Sequence, residues 1–235
     1  MDLPLGLTLI QLDTVLTAAG RAPSLHNSQP WKFSMTTASI QLHADHSRAL
    51  PGTDPDGREM LLSCGAALLN LRLAVGRAGV AARVTLFPAG VDGPIASIES
   101  DGVGRLSPES AELERAIVHR RTNRRPFLET DIEPMHRRQL VRAAQLEGAT
   151  AEIIDDPARL ASLRQWSADA HHLQMADPLW LQEWKNWTGR VGGPTECHCD
   201  RRARRQQRTI PGPSVTSAQQ DDRNACQIRT LSSNL

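Results

Sequence analysis

The apolar positions near the start of the chain recur every three or four residues. Between residues 9 and 19 they would line one face of a helix, so this segment is predicted to be helical and amphipathic. Thr8 is a suitable N-cap, and Gly20 is a suitable end for this helix. Pro23 supports the same end, because the residue before a proline is disfavoured in a helix. The chain should therefore enter a loop soon after residue 20.

Further along, apolar and polar residues alternate with a period of two, which is typical of half-buried strands. The alternation predicts a hairpin with strands near 31–36 and 39–44. A second pair of strands is expected at 84–88 and 95–100, and a short strand at 151–154. Strands of this kind, mixed with helices, favour the α+β class.

The segment from Met60 to Val75 is apolar nearly all round, so it predicts a central core helix that is buried on all sides. Asp54 and Pro55 form a suitable N-cap and first-turn pair, and Gly79 is a suitable end. The small residues in its middle would allow a neighbouring backbone to approach closely.

Four further helices are predicted at about 107–119, 134–147, 156–173 and 178–189. The last of them carries an aromatic face. That face indicates burial against a partner surface rather than a cofactor box. Its members are Trp180, Trp184 and Trp187.

Length and composition set broad limits on what the chain can be. Its 235 residues are enough for one large domain or two small ones. The formal net charge of +1 gives no argument for nucleic acid or a membrane surface. The sequence has neither an uncharged apolar run of about 18 residues nor a signal-peptide pattern. Four unevenly spaced cysteines do not form a disulfide scaffold, so a reduced, cytoplasmic protein is expected.

The character of the chain changes after Gly192, where Leu, Val and Ile become sparse. Residues 193–235 are therefore expected to be disordered. Cys197, His198 and Cys199 could ligate a metal, but their spacing is poor for zinc. The arginine run after them could bind phosphate or nucleic acid, although it lacks interleaved aromatic residues.

A third interpretation of this tail, which we prefer, is a translated wrong frame. Codons compatible with Pro-Thr-Glu-Cys-His-Cys can be read one base out as Pro-Asp-Gly-Met-Pro-Leu, which looks more like ordinary protein sequence. Resequencing the gene across the codons for residues 190–196 tests it, and an intact frame together with related proteins that share this tail would refute it.

The segment 22–31, named here the polar loop, is too polar and too rich in proline for a helix or a strand. Its amide, imidazole and hydroxyl side chains could present hydrogen bonds to a planar or polar ligand. Asn27 and Gln29 suit the edge of a flavin ring, while Ser24 and Ser28 can cap or donate. The alternative is a capped helix end that merely connects to a strand.

The segment 120–125, named here the basic loop, holds four arginines and Thr122. Arginine forks and hydroxyls suit a phosphate group, so the two loops together could hold flavin mononucleotide (FMN). The alternative is a solvated helix end, where arginine is favourable in any case. Two further residues have structural interpretations. His26 is expected to form a structural hydrogen bond, and Cys64 is expected to be an inert thiol in the core.

The pattern Ala22-Pro23-Ser24-x-x-Asn27-x-Gln29-Pro30-Trp31 resembles the flavin loop of the nitroreductase superfamily. Arg120-Arg121-Thr122-Asn123-Arg124 resembles that superfamily's phosphate-binding signature. The order of the two motifs, with His26 and the segments 54–59 and 63–65, is similar to the actinobacterial Acg-type NAD(P)H nitroreductases. The similarity is expected to run from about residue 8 to residue 192.

The resemblance implies an FMN cofactor with NAD(P)H as co-substrate, and a small-molecule acceptor such as a nitro compound or quinone. It implies neither a catalytic side chain nor a metal. The residues implied along the ring and ribityl chain are Ser24, Asn27, Gln29, Pro30, Trp31 and Lys32. Those implied near the phosphate are Arg120, Thr122 and Arg124. Flavin storage without turnover, or a non-functional remnant, are the alternatives.

The resemblance also implies a nitroreductase-like α+β fold in which one chain imitates a dimer. Residues 1–105 would form the first half and 106–192 the start of the second, followed by the tail at 193–235. Because family members are longer, the second half is expected to be incomplete. The core helix would then lose part of its packing, and the chain should form homodimers or aggregates through the exposed core.

Overall fold

The computed structural model describes residues 3–123, 125, 127 and 130–188, which form two compact units. The first unit contains the described residues up to Thr122 together with 182–188, and the second contains those from Asn123 to Leu181. The division predicted between residues 105 and 106 separates two structurally related halves, whereas these two units are defined by their compactness. The predicted division therefore stays a prediction. The expectations for 193–235, Arg124 and the cysteines of the tail lie outside the described residues.

A four-stranded antiparallel sheet forms one layer of the first unit. Its strands, in the spatial order β1-β2-β4-β3, are β1 (Trp31–Met35), β2 (Ser39–Ala44), β3 (Val80–Leu86) and β4 (Ala96–Val103). Phe33 pairs with Leu42, and Ile40 pairs with Ile98. These apolar pairs line the face that packs into the core.

Six α-helices accompany the sheet in the described residues. They are α1 (Leu9–Gly20), α2 (Arg58–Arg77), α3 (Pro108–Ala116), α4 (Pro134–Leu146), α5 (Pro157–Ala176) and α6 (Pro178–Thr188). Together with the antiparallel sheet they confirm the α+β class. The predicted limits of α1 are confirmed, since Thr8 and Gln11 form a capping box and the helix ends at Gly20.

The core of the first unit lies where α1 and α2 pack together and α2 packs on the sheet. Val15, Leu71, Val75, Ile40 and Ile98 are all less than 2% exposed. Full burial of side chains of this size contributes about 1.5–3 kcal/mol each. This core fixes the end of α1, the start of β1 and the middle of α2, and these three points support the polar loop.

The expectation that α2 is buried on all sides is wrong. Leu61 is 46% and Leu62 58% exposed, and Gly65 is exposed between them and the half-buried Leu69. The opposite face is buried from Met60 to Val75. By length and composition α2 could also cross a membrane, but half of its apolar window is buried inside the protein, as in a core helix.

Several predicted boundaries also need correction. Gly57, not Asp54, is the N-cap of α2, although the Asp54 carboxylate still accepts hydrogen bonds from two amides of the first turn. β3 begins four residues before the predicted start, because its first residues pair with the far end of β4. α3 ends at Ala116 rather than near residue 119. Residues 151–154 lie outside any strand.

The second unit is built mainly from α4 and α5. Both helices are described throughout, and neither contains a buried residue. Exposed ion pairs join Arg137 to Asp155 and Arg159 to Glu152, and such pairs contribute little stability.

On α6, Trp180 is 8% and Trp184 9% exposed, so burial of the aromatic face is confirmed for these two residues.

Candidate functional site

The polar loop has an unusual backbone. His26, Asn27 and Gln29 have φ angles of 52°, 59° and 50°, in the left-handed region that residues other than glycine rarely adopt. Each such residue costs on the order of 1 kcal/mol or more unless the surroundings impose it. Strain of this kind clusters at functional sites, so the loop is the leading candidate for a binding element.

Two of the predicted ligand-binding side chains shape the loop itself. The Ser24 hydroxyl accepts a hydrogen bond from the Gln29 backbone N–H at 2.9 Å. The Gln29 side-chain amide donates to the Gly20 carbonyl at 3.3 Å, which ties the loop to the end of α1. Asn27 lies at the surface of the loop. These contacts close the turn and leave Asn27 directed away from the core.

The end of the polar loop is fixed from beneath. The Pro30 carbonyl accepts a hydrogen bond from the Asp45 backbone N–H at 3.0 Å and another from the Cys64 thiol at 3.2 Å. Burial raises the pKa of Cys64 to about 12, so the thiol stays protonated at neutral pH. Cys64 is therefore a structural thiol, as expected. Trp31, which is 4% exposed, packs into the core next to Pro30.

A buried carboxylate supports the loop from the side. Asp45 is 5% exposed and accepts hydrogen bonds from Lys32 at 2.7 Å and from the Ser47 hydroxyl at 2.6 Å. Burial alone would raise the pKa of Asp45, but the bonds from Lys32 and Ser47 together hold it below its usual value. Lys32, predicted along the ring, is therefore engaged by a protein carboxylate.

Arg48 connects this carboxylate to the middle of the polar loop. Its guanidinium lies 3.5 Å from Asp45 and donates a hydrogen bond of 2.8 Å to the Ser28 carbonyl. Ser28 lies between the two strained residues Asn27 and Gln29. Beneath it is a cavity of about 10 Å³, lined in part by Asp54 and Arg48, with room for about one water molecule.

One side chain of the basic loop contacts the residue directly before the polar loop. The Arg120 guanidinium donates to the Arg21 carbonyl at 3.2 Å and to the Thr122 hydroxyl at 3.3 Å. Arg121 instead turns back to the carbonyls of Val118 and Arg120. Arg124 lies outside the described residues. The contact from Arg120 to Arg21, the residue before the polar loop, brings the two predicted motifs together.

Sequence reasoning missed Asp45 and Arg48. Asp45 carried a usable signal, because the predicted hairpin places it one step diagonally from Lys32 on the neighbouring strand. Arg48 carried no such signal, since its partner is a backbone carbonyl 20 residues away. Among the described residues, no three His, Cys, Asp or Glu side chains converge as metal ligands.

Comparison with known proteins gives relatives from Mycobacterium tuberculosis (strain H37Rv). The chain is 34% identical over 181 residues to a protein named provisionally NAD(P)H nitroreductase Rv3131. This alignment covers 76% of the chain and 51% of the relative. It is 33% identical over 220 residues to one named provisionally NAD(P)H nitroreductase acg, covering 92% of the chain and 62% of the relative. No family model matches the chain.

These matches have two consequences for the predictions. The chain spans only about half of the length of Rv3131 and 62% of acg. The acg match covers 92% of the chain, so it must extend beyond residue 192 into the tail. The expected end of the similarity at residue 192 is thus too early, and the match counts against the wrong-frame interpretation. Over the shared region, the chain belongs to the nitroreductase family of these acg-type relatives.

Proposed function

We propose that the chain is part of an FMN-dependent NAD(P)H oxidoreductase. The relatives' names specify NAD(P)H and nitroreduction, and these come to this chain only as part of the proposal. The chemistry that FMN supplies when bound is hydride transfer from NAD(P)H to an acceptor such as a nitro compound or a quinone. The role of the chain's own residues is to bind and orient the cofactor.

The contact between Arg120 and the Arg21 carbonyl carries this proposal. It supports the view that a phosphate-binding loop and a ring-binding loop belong to one site, although 99 positions separate the two residues. A guanidinium that already lies at the start of the polar loop can exchange a neutral carbonyl for a phosphate oxygen. Such charge-assisted bonds are roughly twice as strong as neutral ones.

In this proposal, some residues of the polar loop would contact the flavin directly, and others would act by shaping or anchoring the loop. Asn27 is at the surface, where its amide could meet the ring edge. Ser24 and Gln29 would act through the shape of the loop, and Pro30 and Trp31 through its anchorage in the core. Lys32 could reach the ring or ribityl chain only by leaving Asp45. Thr122 and Arg124 complete the proposed phosphate set.

The test uses purified protein titrated with FMN, followed by NADPH and then a nitroaromatic compound. We expect bound FMN, loss of the flavin absorbance bands on addition of NADPH, and their recovery with the acceptor. Bound FMN that NADPH does not bleach would instead indicate a flavin-sequestering protein. Protein that binds no added FMN would indicate a non-functional remnant. NADH is compared with NADPH in the same assay.

The remaining parts of the proposal concern assembly and setting. They are a pseudo-dimeric nitroreductase fold, a cytoplasmic setting and self-association through the exposed face of α2. The last is supported by Leu61, Leu62 and Leu69 flanking Gly65, where an added Cβ would meet no atom within 4 Å. Sedimentation of Leu62→Lys tests it, since a charge there should abolish association and leave the fold intact.

A further inference from the structure

We propose that Glu183, on α6, is a positioning residue for the polar loop. Its carboxylate is almost completely buried at 8% exposure, far in sequence from the loop. It holds the turn at residues 50–53, which begins two residues after Arg48. Through that turn and Arg48 it would fix the Ser28 carbonyl, between the strained residues Asn27 and Gln29. The consequence for cofactor binding rests on the proposed function, whereas the consequence for the loop does not.

Both carboxylate oxygens of Glu183 accept hydrogen bonds from the turn. One oxygen accepts a hydrogen bond from the Gly52 N–H at 2.8 Å. The other accepts from the Thr53 N–H and the Thr53 hydroxyl, both at 2.9 Å. Three donors from two adjacent residues thus converge on one side chain that is 130 positions away. Such charge-assisted bonds are stronger than those between neutral groups.

The turn held by Glu183 is continuous with the support of the polar loop. Its first residue, Leu50, is 5% exposed and lines the small cavity together with Arg48 and Ser28. The residue after the turn, Asp54, lines the same cavity and accepts hydrogen bonds from the first amides of α2. The turn therefore has little freedom to move without displacing Arg48.

Removing the carboxylate would leave the Gly52 N–H and the Thr53 hydroxyl without their acceptor in a partly buried turn, whereas the Thr53 N–H keeps the Leu50 carbonyl at 3.0 Å. A buried donor without an acceptor is costly, so the turn would rearrange to reach water. Arg48 would then lose its fixed position under Ser28. Because three residues of the polar loop have left-handed φ angles, the loop would relax once that support is lost.

The experiment compares Glu183→Ala with Gln182→Ala, an exposed neighbour on the same helix. Hydrogen exchange is measured for residues 25–31 and 50–54, with and without added formate. We expect Glu183→Ala to accelerate exchange in both segments, formate to reverse part of the change, and Gln182→Ala to leave both unchanged. FMN affinity, measured by flavin fluorescence, should fall about tenfold in Glu183→Ala, which corresponds to about 1.4 kcal/mol.

Two results would overturn the proposal. One is faster exchange in 50–54 with no change in 25–31, which would confine the effect to the turn. The other is unchanged exchange in both segments. If Glu183→Ala does not fold, Thr53→Val removes one of the three bonds, and it must show a smaller effect of the same kind. Failure of the wild type to bind FMN would refute the proposed function, and the exchange data would still decide the role of Glu183.

Discussion

The polar loop and the basic loop were predicted as two parts of one site, yet they are held in different ways. The polar loop is fixed from the core side, since the buried Cys64 and Asp45 and the partly buried Arg48 all donate hydrogen bonds to its backbone carbonyls. The described part of the basic loop is exposed; Arg120 donates to the Arg21 carbonyl, and Arg121 donates to the carbonyls of Val118 and Arg120.

This difference separates a preformed surface from an adaptable one. A ligand that binds the polar loop meets a backbone whose strain and shape already exist, so little ordering remains to be done. A ligand that binds the basic loop must recruit long side chains and restrict their rotation, which costs free energy. Mutations of the residues that support the polar loop should therefore affect stability, whereas mutations in the basic loop should affect ligand affinity.

The largest expected effect is on stability, from Asp45→Ala. This change removes the acceptor for Lys32 and for two donors of Ser47. Hydrogen bonds to a charged group contribute about 1.5–3 kcal/mol each, but Lys32 is half exposed and can return to water. We expect the free energy of unfolding to fall by about 3 kcal/mol, as measured by urea denaturation. A loss below about 1 kcal/mol would contradict the view that the support is buried.

The pH dependence gives an independent measure of the same contact. The pKa of Asp45 is lower in the folded protein than in the unfolded chain, where it is about 3.9, so the unfolded chain binds the proton more readily. The stabilisation is therefore complete above about pH 4 and is lost as the pH falls through the lowered pKa. Asp45→Asn should flatten this acid loss of stability in urea titrations below pH 5.

The second largest effect is on affinity, from Arg120→Ala. If Arg120 binds the phosphate, its removal should weaken FMN binding by about 1.5–3 kcal/mol and spare riboflavin, which lacks the phosphate. Stability should change by less than about 0.5 kcal/mol, because the side chain is exposed. Fluorescence titration with both ligands measures this. The same comparison applies to Arg124→Ala.

Arg121→Ala is the matched comparison, because Arg121 caps its own segment and does not reach the polar loop in this structure. Its effect on FMN affinity should be clearly smaller than that of Arg120→Ala. An equal loss from both variants would mean that the loop acts through its overall charge. An equal loss of FMN and riboflavin binding in Arg120→Ala would place Arg120 away from the phosphate.

The smallest effect, and the one of opposite sign, is expected from Asn27→Gly. Glycine adopts the left-handed conformation of this position without a steric cost. The free energy of unfolding should stay the same or rise by up to about 1 kcal/mol, while FMN affinity falls because the side-chain amide is lost. Thermal melts and fluorescence titration measure the two quantities. A clear loss of stability would show that the Asn27 side chain supports the fold.

The sequence predicted those features whose causes are local. Thr8 with Gln11 specifies the start of α1, and alternation specifies the hairpin of β1 and β2. The exposed side of α2 was not predictable, because apolar residues surround that helix and only the packing of the whole chain decides which face is buried. The expected strand at 151–154 shows the same limit, since a strand needs a neighbour that local pattern does not reveal.

The site was predictable in part for the same reason. The motifs identified the two loops, but the roles inside them depend on contacts between distant positions. Ser24 and Gln29, predicted along a ligand, also form hydrogen bonds within the loop and to the end of α1, which the motif did not reveal. Glu183 has no local signal at all, because its three donors are about 130 positions away.

The buried Cys64 thiol has a consequence for chemical durability. Quinones, which are among the proposed acceptors, are electrophiles that alkylate thiolates. With a pKa of about 12, Cys64 is a thiolate in only about one molecule in 10⁵ at pH 7. The burial that raises this pKa therefore also keeps the thiol beneath the loop in its unreactive form. Repeated exposure to acceptors of this proposed class should leave this part of the protein chemically unchanged.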